Sequence, residues 1–415
     1  MDSGQRKRPN DMPWTSAGFV RSTLWLLPFL SLLLLLTAVL EQKPRTQVPL
    51  VVISLDGFRH DYIEIVKQRF GHISLPNFDR LMREGVRAMR CINVFPTSTL
   101  PNHQTLVTGL YPQHHGVTAN TMFDERLPGH VFSMLNDTSL SEDPWLDGWP
   151  EPIWRTAQRH GILTGSMLWP ITDRPVDGDV PFQRMSRFKY NAPGELHYPN
   201  KRRVDDVIGW LTSNHYKLGL VLVYFSDIDI MGHFFGPHSV QTAEAIIQMD
   251  DILGYFLNKL EQHDLRWRIN LIVTSDHGMT EVSRDRIIVL ENLVNSSWYT
   301  FPQLTPIGHI YPLPGRLDDV YRKLKGAHKH LSVYKLHEVP QRLHFSHRGV
   351  RMPPIVLIAD LGWYVVQSRP ESFSDLVDLV HTIDIYALMC NLIGLPAQAH
   401  NGSLARISHA IWGPN

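Results

Sequence analysis

QVPLVVISL (residues 47–55), running straight into Asp56-Gly57-Phe58-Arg59, is the stretch on which the fold reading rests. Its β-branched, uncharged residues read as a strand buried on both faces, and the Asp-Gly pair ends it. Such a strand belongs in a parallel sheet covered on both sides, because a sheet with one wet face would alternate apolar and polar residues. Similar runs recur at Leu218–Phe225, Asn270–Thr274 and Pro354–Ala359, and Met89–Phe95 reads as a further strand. Leu75–Gly85 and Pro101–Gly109 read as helices, the second with proline in its first turn. A long helix fits Val240–His263, with Ile246, Ile247, Leu253, Phe256, Leu257 and Leu260 on one face. The expected fold is α/β, with a mostly parallel central sheet and helices on both faces. Residues 122–205 are rich in Trp, Pro, His and Gly and less periodic, and read as an inserted cap region.

Composition bounds the function. The chain has 415 residues, 43% apolar and 19% charged, which excludes disorder, collagen and coiled coil. Lys+Arg and Asp+Glu each number 40, so nothing draws the chain to a nucleic acid polymer, and none is expected as a partner. Two cysteines, Cys91 and Cys390, cannot form a disulfide framework. Their placement in a strand and a helix suggests buried thiols, with a single disulfide left open. The 22 histidines are the odd count and direct attention to metal ligands.

Thr23–Leu40 is an 18-residue run without charge, preceded by Arg6, Lys7, Arg8 and Arg21. It reads as a membrane-spanning signal anchor, with residues 1–22 as a cytoplasmic tail and the rest outside: a single-pass type II protein. The other reading is a cleaved signal and a secreted product, but bulky Val39 and Leu40 stand where small residues are wanted. The sequons at Asn136, Asn295 and Asn401 agree with export under either reading.

Three strands end in acids: Asp56, the Asp227/Asp229 pair, and Asp276. Ligands bind at the carboxyl ends of strands in such sheets, so these groups share one rim. Asp276-His277-Gly278 needs a turn to aim both side chains into one cavity, which glycine permits. Asp229 and His233, four apart, share one face of a helical turn. Mixed oxygen and imidazole donors suit zinc. Each pair alone reads equally as a helix cap or a satisfied histidine; together with Thr97-Ser98-Thr99 they read as a site. Thr99 is the candidate nucleophile. It sits at a helix N-terminus and, as an alcohol, needs a metal to lower its pKa. A plain N-cap is its bland reading. The turn Thr-Leu-Pro-Asn-His lacks the Cys or Ser of the C/S-x-P-x-R pattern that a sulfatase would carry there.

LDGFR (55–59), FPTSTLPNHQTLVTGLYPQHHGVTAN (95–120), DIMGHFFGP (229–237) and TSDHGMT (274–280) resemble the ectonucleotide pyrophosphatase/phosphodiesterase family of the alkaline phosphatase superfamily. The likeness spans residues 46–403, the expected catalytic domain, with 404–415 as a tail. It includes WPITD (169–173), FKYN (188–191) and IDIYALMCNLIGL (383–395). The PIW around residue 153 and the WP-x-x-D resemble the membrane-bound members that cleave dinucleoside polyphosphates.

The resemblance implies an alkaline phosphatase-like fold and a two-zinc site. Asp56, Thr99, Asp276 and His277 would hold one zinc, and Asp229 and His233 the other. Asn120 would bind the phosphoryl oxygen together with the Thr99 N–H, as an oxyanion site. Thr99 would attack phosphorus and form a nucleotidyl-threonine, released by water at the second zinc. The implied substrate is a nucleotide or another phosphodiester. Leu100 stands where the family places one nucleobase-stacking aromatic, and Tyr190 matches the other stacking position. Lys before the nucleophile is replaced by Ser98, and Glu-Glu-Pro before the metal aspartate by Ser226-Asp227-Ile228.

The departure that matters most is a missing histidine. The family's second zinc takes a third ligand from a His-Gly-Tyr/Phe-Asp-Asn stretch ahead of the helix matching Ile383–Leu395. Only 19 residues separate Trp363 from Ile383, and that stretch is not among them. His381 is the one histidine in the interval, and a surface role is preferred for it. The alternative functions are therefore an impaired member or truncated isoform acting as a binding ectodomain, and a phosphate monoesterase of the same superfamily.

Overall fold

A computed structural model describes residues 48–368, apart from 72, 128–130, 135–144, 146–149, 173, 186–197, 284, 302–306, 348 and 350. The chain divides into Met1–Gln47 and Val48–Asn415, and the description concerns the second unit. The segment read as an anchor (23–40), the one read as a tail (404–415), the one read as a helix (383–395), and Tyr190, Asn136, Asn401, Cys390 and His381 lie outside the described residues.

The sequence at 47–55 folds as read. Strand β1, Leu50–Leu55, carries β-branched residues on both faces. In chain order there follow β2 (Thr121–Phe123), β3 (Val131–Ser133), β4 (Leu163–Met167), β5 (Gln183–Met185), β6 (Leu218–Phe225) and β7 (Asn270–Thr274). The central sheet has the order β5-β4-β6-β1-β7, with every pairing parallel. Alternation along β1 assigns its faces. Val51, Ile53 and Leu55 pack with Val204, Val207, Ile246, Leu253 and Phe256, from helices Asn200–Leu211 and Val240–Gln262. Leu50 and Val52 face the opposite way, against Val107 and Trp154 from helices Thr99–Thr108 and Ile153–Arg159. Both faces are thus covered, and that is why the strands carry no polar alternation.

The register brings three strand ends to one level. Leu55 lies beside Phe225 and Ser54 beside Thr274, so the chain leaves β6, β1 and β7 along one edge. Asp56 N–H still reaches the Phe225 carbonyl, at 2.9 Å.

A second sheet follows the first. β8 is Ile287–Val289, β9 Tyr299–Thr300, β10 Ile307–Pro312, β11 Leu331–Lys335, β12 Ile355–Ala359 and β13 Tyr364–Val366. Strands β11-β12-β10-β9 form an antiparallel sheet with helix Leu317–Leu324 packed on it. The strand read at Pro354–Ala359 exists, but in this sheet and not the parallel one. Its apolar character reflects burial alone, which either sheet type supplies.

Other expectations are corrected. Met89–Phe95 forms no strand; Met89 and Ile92 are 87% and 86% exposed. A β-propensity run becomes a strand only where a neighbour offers its hydrogen bonds. Cys91, in this stretch, is an exposed free thiol and not a buried one. β7 is an edge strand with Ile272 48% exposed, not a fully buried one. Within the stretch read as an inserted cap (122–205), β4 and β5 are strands of the central sheet and not part of an insertion. Helix Thr99–Thr108 starts two residues earlier than read, so Ser98 takes the N-cap position and Thr99 opens the helix.

Candidate active site

Asp56 leaves β1 with 2% exposure. Gly57, at φ +67°, turns the chain immediately after it. A Cβ there would also lie 2.8 Å from Asp229 Oδ1 and 3.0 Å from Asp229 Cα. Glycine is therefore required twice, by the left-handed backbone and by the approach of Asp229. Asp276, 2% exposed, leaves β7, and its Oδ1 accepts from the Gly57 N–H at 3.2 Å. Ser275 accepts from the Phe58 N–H at 3.0 Å and donates to the His277 carbonyl at 2.7 Å. These bonds lock the ends of β1 and β7 together. Gly278 does not supply a positive φ; its missing side chain makes room for Arg59 Cγ, 2.9 Å from where a Cβ would stand.

His277 organises the centre. Its Nδ1 donates to the Gly278 carbonyl at 2.9 Å, which turns Nε2 toward the carboxylates. Nε2 faces Thr99 Oγ1, Asp56 Oδ1 and Asp276 Oδ2, each at 3.3 Å. Asp56 Oδ1 and Asp276 Oδ2 are buried and lack a hydrogen-bond donor. Buried carboxylate oxygens gathered without donors repel one another unless a cation sits among them. Tetrahedral ligands at about 2.0 Å from a zinc stand about 3.3 Å apart, which is the spacing found here. These four residues therefore fit a metal. Asp56, Asp229 and His277 also offer ligand atoms all within 4.8 Å of one another.

The electrostatics agree. Burial, reinforced by the charges of Asp229 and Asp276, holds the Asp56 carboxyl well above the usual range. The Tyr224 hydroxyl donates to Asp56 Oδ2, and burial beside Asp56 raises its own pKa strongly. Burial pushes Asp229 upward, but His233, His277 and His103 outweigh it, and the carboxyl ends below its ordinary value. Asp229 and His233 do meet as their spacing implied, with His233 Nε2 3.4 Å from Oδ2. Asp227 does not join them. Its Oδ1 accepts from Asn200 Nδ2 at 2.9 Å, on the far side of its helix.

The nucleophile turn is held from beneath. Asn102 Oδ1 accepts from the Val94 N–H at 2.8 Å, while Nδ2 donates to the Pro96 and Ser98 carbonyls. Thr99 is 5% exposed, and its hydroxyl turns to His277 instead of capping the helix. Asn120 Oδ1 accepts from the Leu100 N–H at 2.9 Å, which leaves the two donors of its amide for an incoming oxygen. Leu100 lies 2% exposed among Val117, Ala119, Met122, Phe132 and Trp145. It supports the turn and offers no open face to a nucleobase. Asn295 is exposed, as a glycan acceptor must be.

Two supports escaped the sequence reading. His103, fully buried, places Nδ1 2.9 Å from the Thr99 carbonyl and Nε2 3.0 Å from Ser54 Oγ, and its ring lies edge-on to Trp169 and Tyr224. Burial lowers its pKa. Its place four residues after Thr99, on one helical face, was the available signal. Tyr224, the sole hydroxyl in the apolar run of β6, was the other.

The sequence pattern described as "Type I phosphodiesterase / nucleotide pyrophosphatase" matches residues 50–381, which contain every element of this site. The chain belongs to that family. It is 34% identical to human ectonucleotide pyrophosphatase/phosphodiesterase family member 5 over 409 residues, 92% of this chain and 82% of that protein. It is 33% identical to bis(5'-adenosyl)-triphosphatase enpp4 of Xenopus laevis over 395 residues, 88% of this chain and 82% of that one. The solved structure of murine ectonucleotide pyrophosphatase/phosphodiesterase 5 superposes with a TM-score of 0.70 at 34% identity, covering 87% of this chain and 99% of that one. An inactive threonine-to-alanine form of the murine protein in complex with AMP matches with the same TM-score at 33% identity and the same coverage. The α/β architecture is thus alkaline phosphatase-like, and this member of the phosphodiesterase family is a hydrolase carrying a candidate metal-binding group.

Proposed function

We propose that the chain hydrolyses phosphodiester and pyrophosphate bonds of nucleotides with zinc as cofactor and Thr99 as nucleophile. The observation that carries this is the convergence of Thr99 Oγ1, Asp56 Oδ1 and Asp276 Oδ2 on Nε2 of His277, each at 3.3 Å. The donor set of oxygen and imidazole suits zinc. The AMP complex of the murine relative, and the inactivity of its threonine-to-alanine form, support nucleotide substrates and a threonine nucleophile.

Asp56, Thr99, Asp276 and His277 would hold the ion. When bound, it supplies positive charge that favours the Thr99 alkoxide and offsets charge on the phosphoryl oxygens. Thr99 gives up its hydroxyl proton to solvent, Oγ1 attacks phosphorus, the bond to the leaving group breaks, and that group departs with the electron pair. Water then attacks phosphorus, the bond from phosphorus to Thr99 Oγ1 breaks, and a proton released by the water restores the Thr99 hydroxyl. The Asn120 amide, whose oxygen is taken by the Leu100 N–H, and the Thr99 N–H at the start of the helix bind the phosphoryl oxygen. Asn102 and His103 hold the turn in attack position. The reading places this unit outside the cell, behind the apolar segment 23–40, with the sequon asparagines glycosylated.

The test uses the nitrophenyl ester of thymidine monophosphate. Turnover is expected with zinc, and loss of at least about 10³-fold is expected in Thr99→Ala and after chelation. Turnover by Thr99→Ala at the native rate would overturn the proposal. Faster cleavage of a nitrophenyl phosphate monoester would favour the monoesterase instead.

A further inference from the structure

The segment that carries Asn120 is gripped on both sides by one residue from far along the chain. We infer that Arg351, in the turn before β12, is a positioning residue for Asn120 and aims its amide at the phosphoryl oxygen. This role rests on the phosphodiester hydrolysis proposed above, in which Asn120 meets that oxygen.

Thr118, just before Asn120, is fully buried, and its hydroxyl donates to the Arg351 carbonyl at 3.0 Å. The Tyr311 hydroxyl, from β10, donates to the same carbonyl at 2.9 Å. Asp124, just after Asn120, is 2% exposed, and its Oδ2 lies 3.2 Å from Arg351 Nε. Burial pushes the Asp124 carboxyl upward, but Arg126 and Arg351 outweigh it and hold it below its ordinary value. The pair is therefore ionic. The guanidinium also lies over the Trp145 ring, 5.6 Å from its centroid. Trp145 packs in the cluster around Leu100, whose N–H is the donor to Asn120 Oδ1. The backbone on either side of Asn120, and the packing behind the residue that holds its amide oxygen, all end on Arg351.

Asn120 needs such support. The Leu100 N–H fixes its amide oxygen at one point, and the direction of the two amide donors then follows from the backbone that carries the side chain. Arg351 itself has a left-handed backbone, at φ +64°. A residue with a long side chain is strained there, and it persists where its surroundings fix it. Stability alone is a poor reason for the arrangement, because a buried ion pair is commonly no better than an apolar pair of the same bulk. What the strained turn and the buried charge accomplish together is to fix the place of the Asn120 segment.

The experiment measures hydrolysis of the thymidine monophosphate nitrophenyl ester by the full-length, zinc-loaded protein. Arg351→Met, Asn120→Ala and the double variant are compared in one cycle. Asn120→Ala should lower kcat/KM about 10²–10³-fold. Arg351→Met, which keeps the bulk and removes the charge, should lower it about 10–100-fold. In the Asn120→Ala background the same substitution should change kcat/KM less than about threefold, because Arg351 acts through Asn120. Arg351→Lys, which restores a charge beside Asp124, should return most of the lost rate. Thr118→Val removes one hydroxyl and leaves the arginine whole; it should show the same dependence on Asn120, and it serves where Arg351→Met fails to fold. An equal fall from either substitution with and without Asn120 would mark a merely structural role and overturn the inference, leaving the proposed function standing. A native rate in Arg351→Met would also overturn it. Native protein without Thr99-dependent turnover would overturn the proposed function itself.

Discussion

Gly57 and Gly109 form a natural experiment. Both have left-handed backbones, at φ +67° and +69°. A Cβ at Gly109 would meet nothing within 4 Å, whereas at Gly57 it would stand 2.8 Å from Asp229 Oδ1 and 3.0 Å from Asp229 Cα. Alanine at either position carries the same backbone cost, about 1–2 kcal/mol. Gly109→Ala should show that cost alone, a melting-temperature fall on the order of 2 °C per kcal/mol for a domain this large. Gly57→Ala must in addition move Asp229. Ordinary carbon–oxygen contact begins near 3.3 Å, so the carboxylate retreats by roughly 0.5 Å, about the tolerance of a functional constellation. Zinc affinity should then fall about 10–100-fold, or about 1.4–2.8 kcal/mol, with hydrolysis of the nitrophenyl ester falling in step. The assay pairs thermal melting of metal-free protein with zinc titration. Equal zinc affinities in the two variants, despite equal melting shifts, would refute the claim that β1 and Asp229 are packed for metal binding.

Three further outcomes can be measured. His309 is fully buried with neither ring nitrogen paired, and burial pushes its pKa from 6.5 down to about 3. The unfolded chain takes up this proton first, so the stability it contributes is complete above pH 6.5 and is lost as pH falls toward 3. By pH 5 the loss is about 2 kcal/mol, and His309→Leu should flatten the melting-temperature profile between pH 7 and 5 by that amount. Asp250 caps a helix in another part of the chain, accepting from the Phe78 N–H at 2.7 Å and the Asn77 N–H at 3.2 Å. Asp250→Ala should cost about 1–3 kcal/mol by denaturant titration, and a change below about 0.5 kcal/mol would contradict the capping role. Tyr224→Phe removes the donor to Asp56 and should weaken zinc binding about tenfold while leaving the metal-free fold intact by circular dichroism.

The legibility of this protein was uneven, for physical reasons. β1, β6 and β7 and the helices at 76–84 and 240–262 match their sequence readings closely, because periodicity and burial act locally. Met89–Phe95 failed because a strand needs a neighbour that sequence cannot supply. The antiparallel sheet was unread apart from β12: its strands are short, and β10 holds a buried histidine that breaks the apolar pattern. Among site residues, Asp56, Thr99, Asp229, His233, Asp276 and His277 were named from strand ends and spacing, and the structure gathers them. Leu100 was placed at a nucleobase and is found in a core cluster. Tyr224 escaped because its partner Asp56 lies 168 positions away, and the bond of His103 to Ser54 spans 49 positions although its other partner, Thr99, is four residues off.

The sequence by itself determined that acids and a threonine turn stand at strand ends in an α/β protein, since those facts depend on neighbours along the chain. Tertiary structure decided which atoms meet. The order β6-β1-β7 sets Asp56 between Asp229 and Asp276. The turn at Gly57 brings Asp229 Oδ1 against the backbone, and the Gly278 carbonyl holds Nδ1 of His277 so that Nε2 faces the carboxylates. Metal chemistry is settled over tenths of an ångström between residues up to 221 positions apart, at a scale where register and packing rule and local pattern is silent.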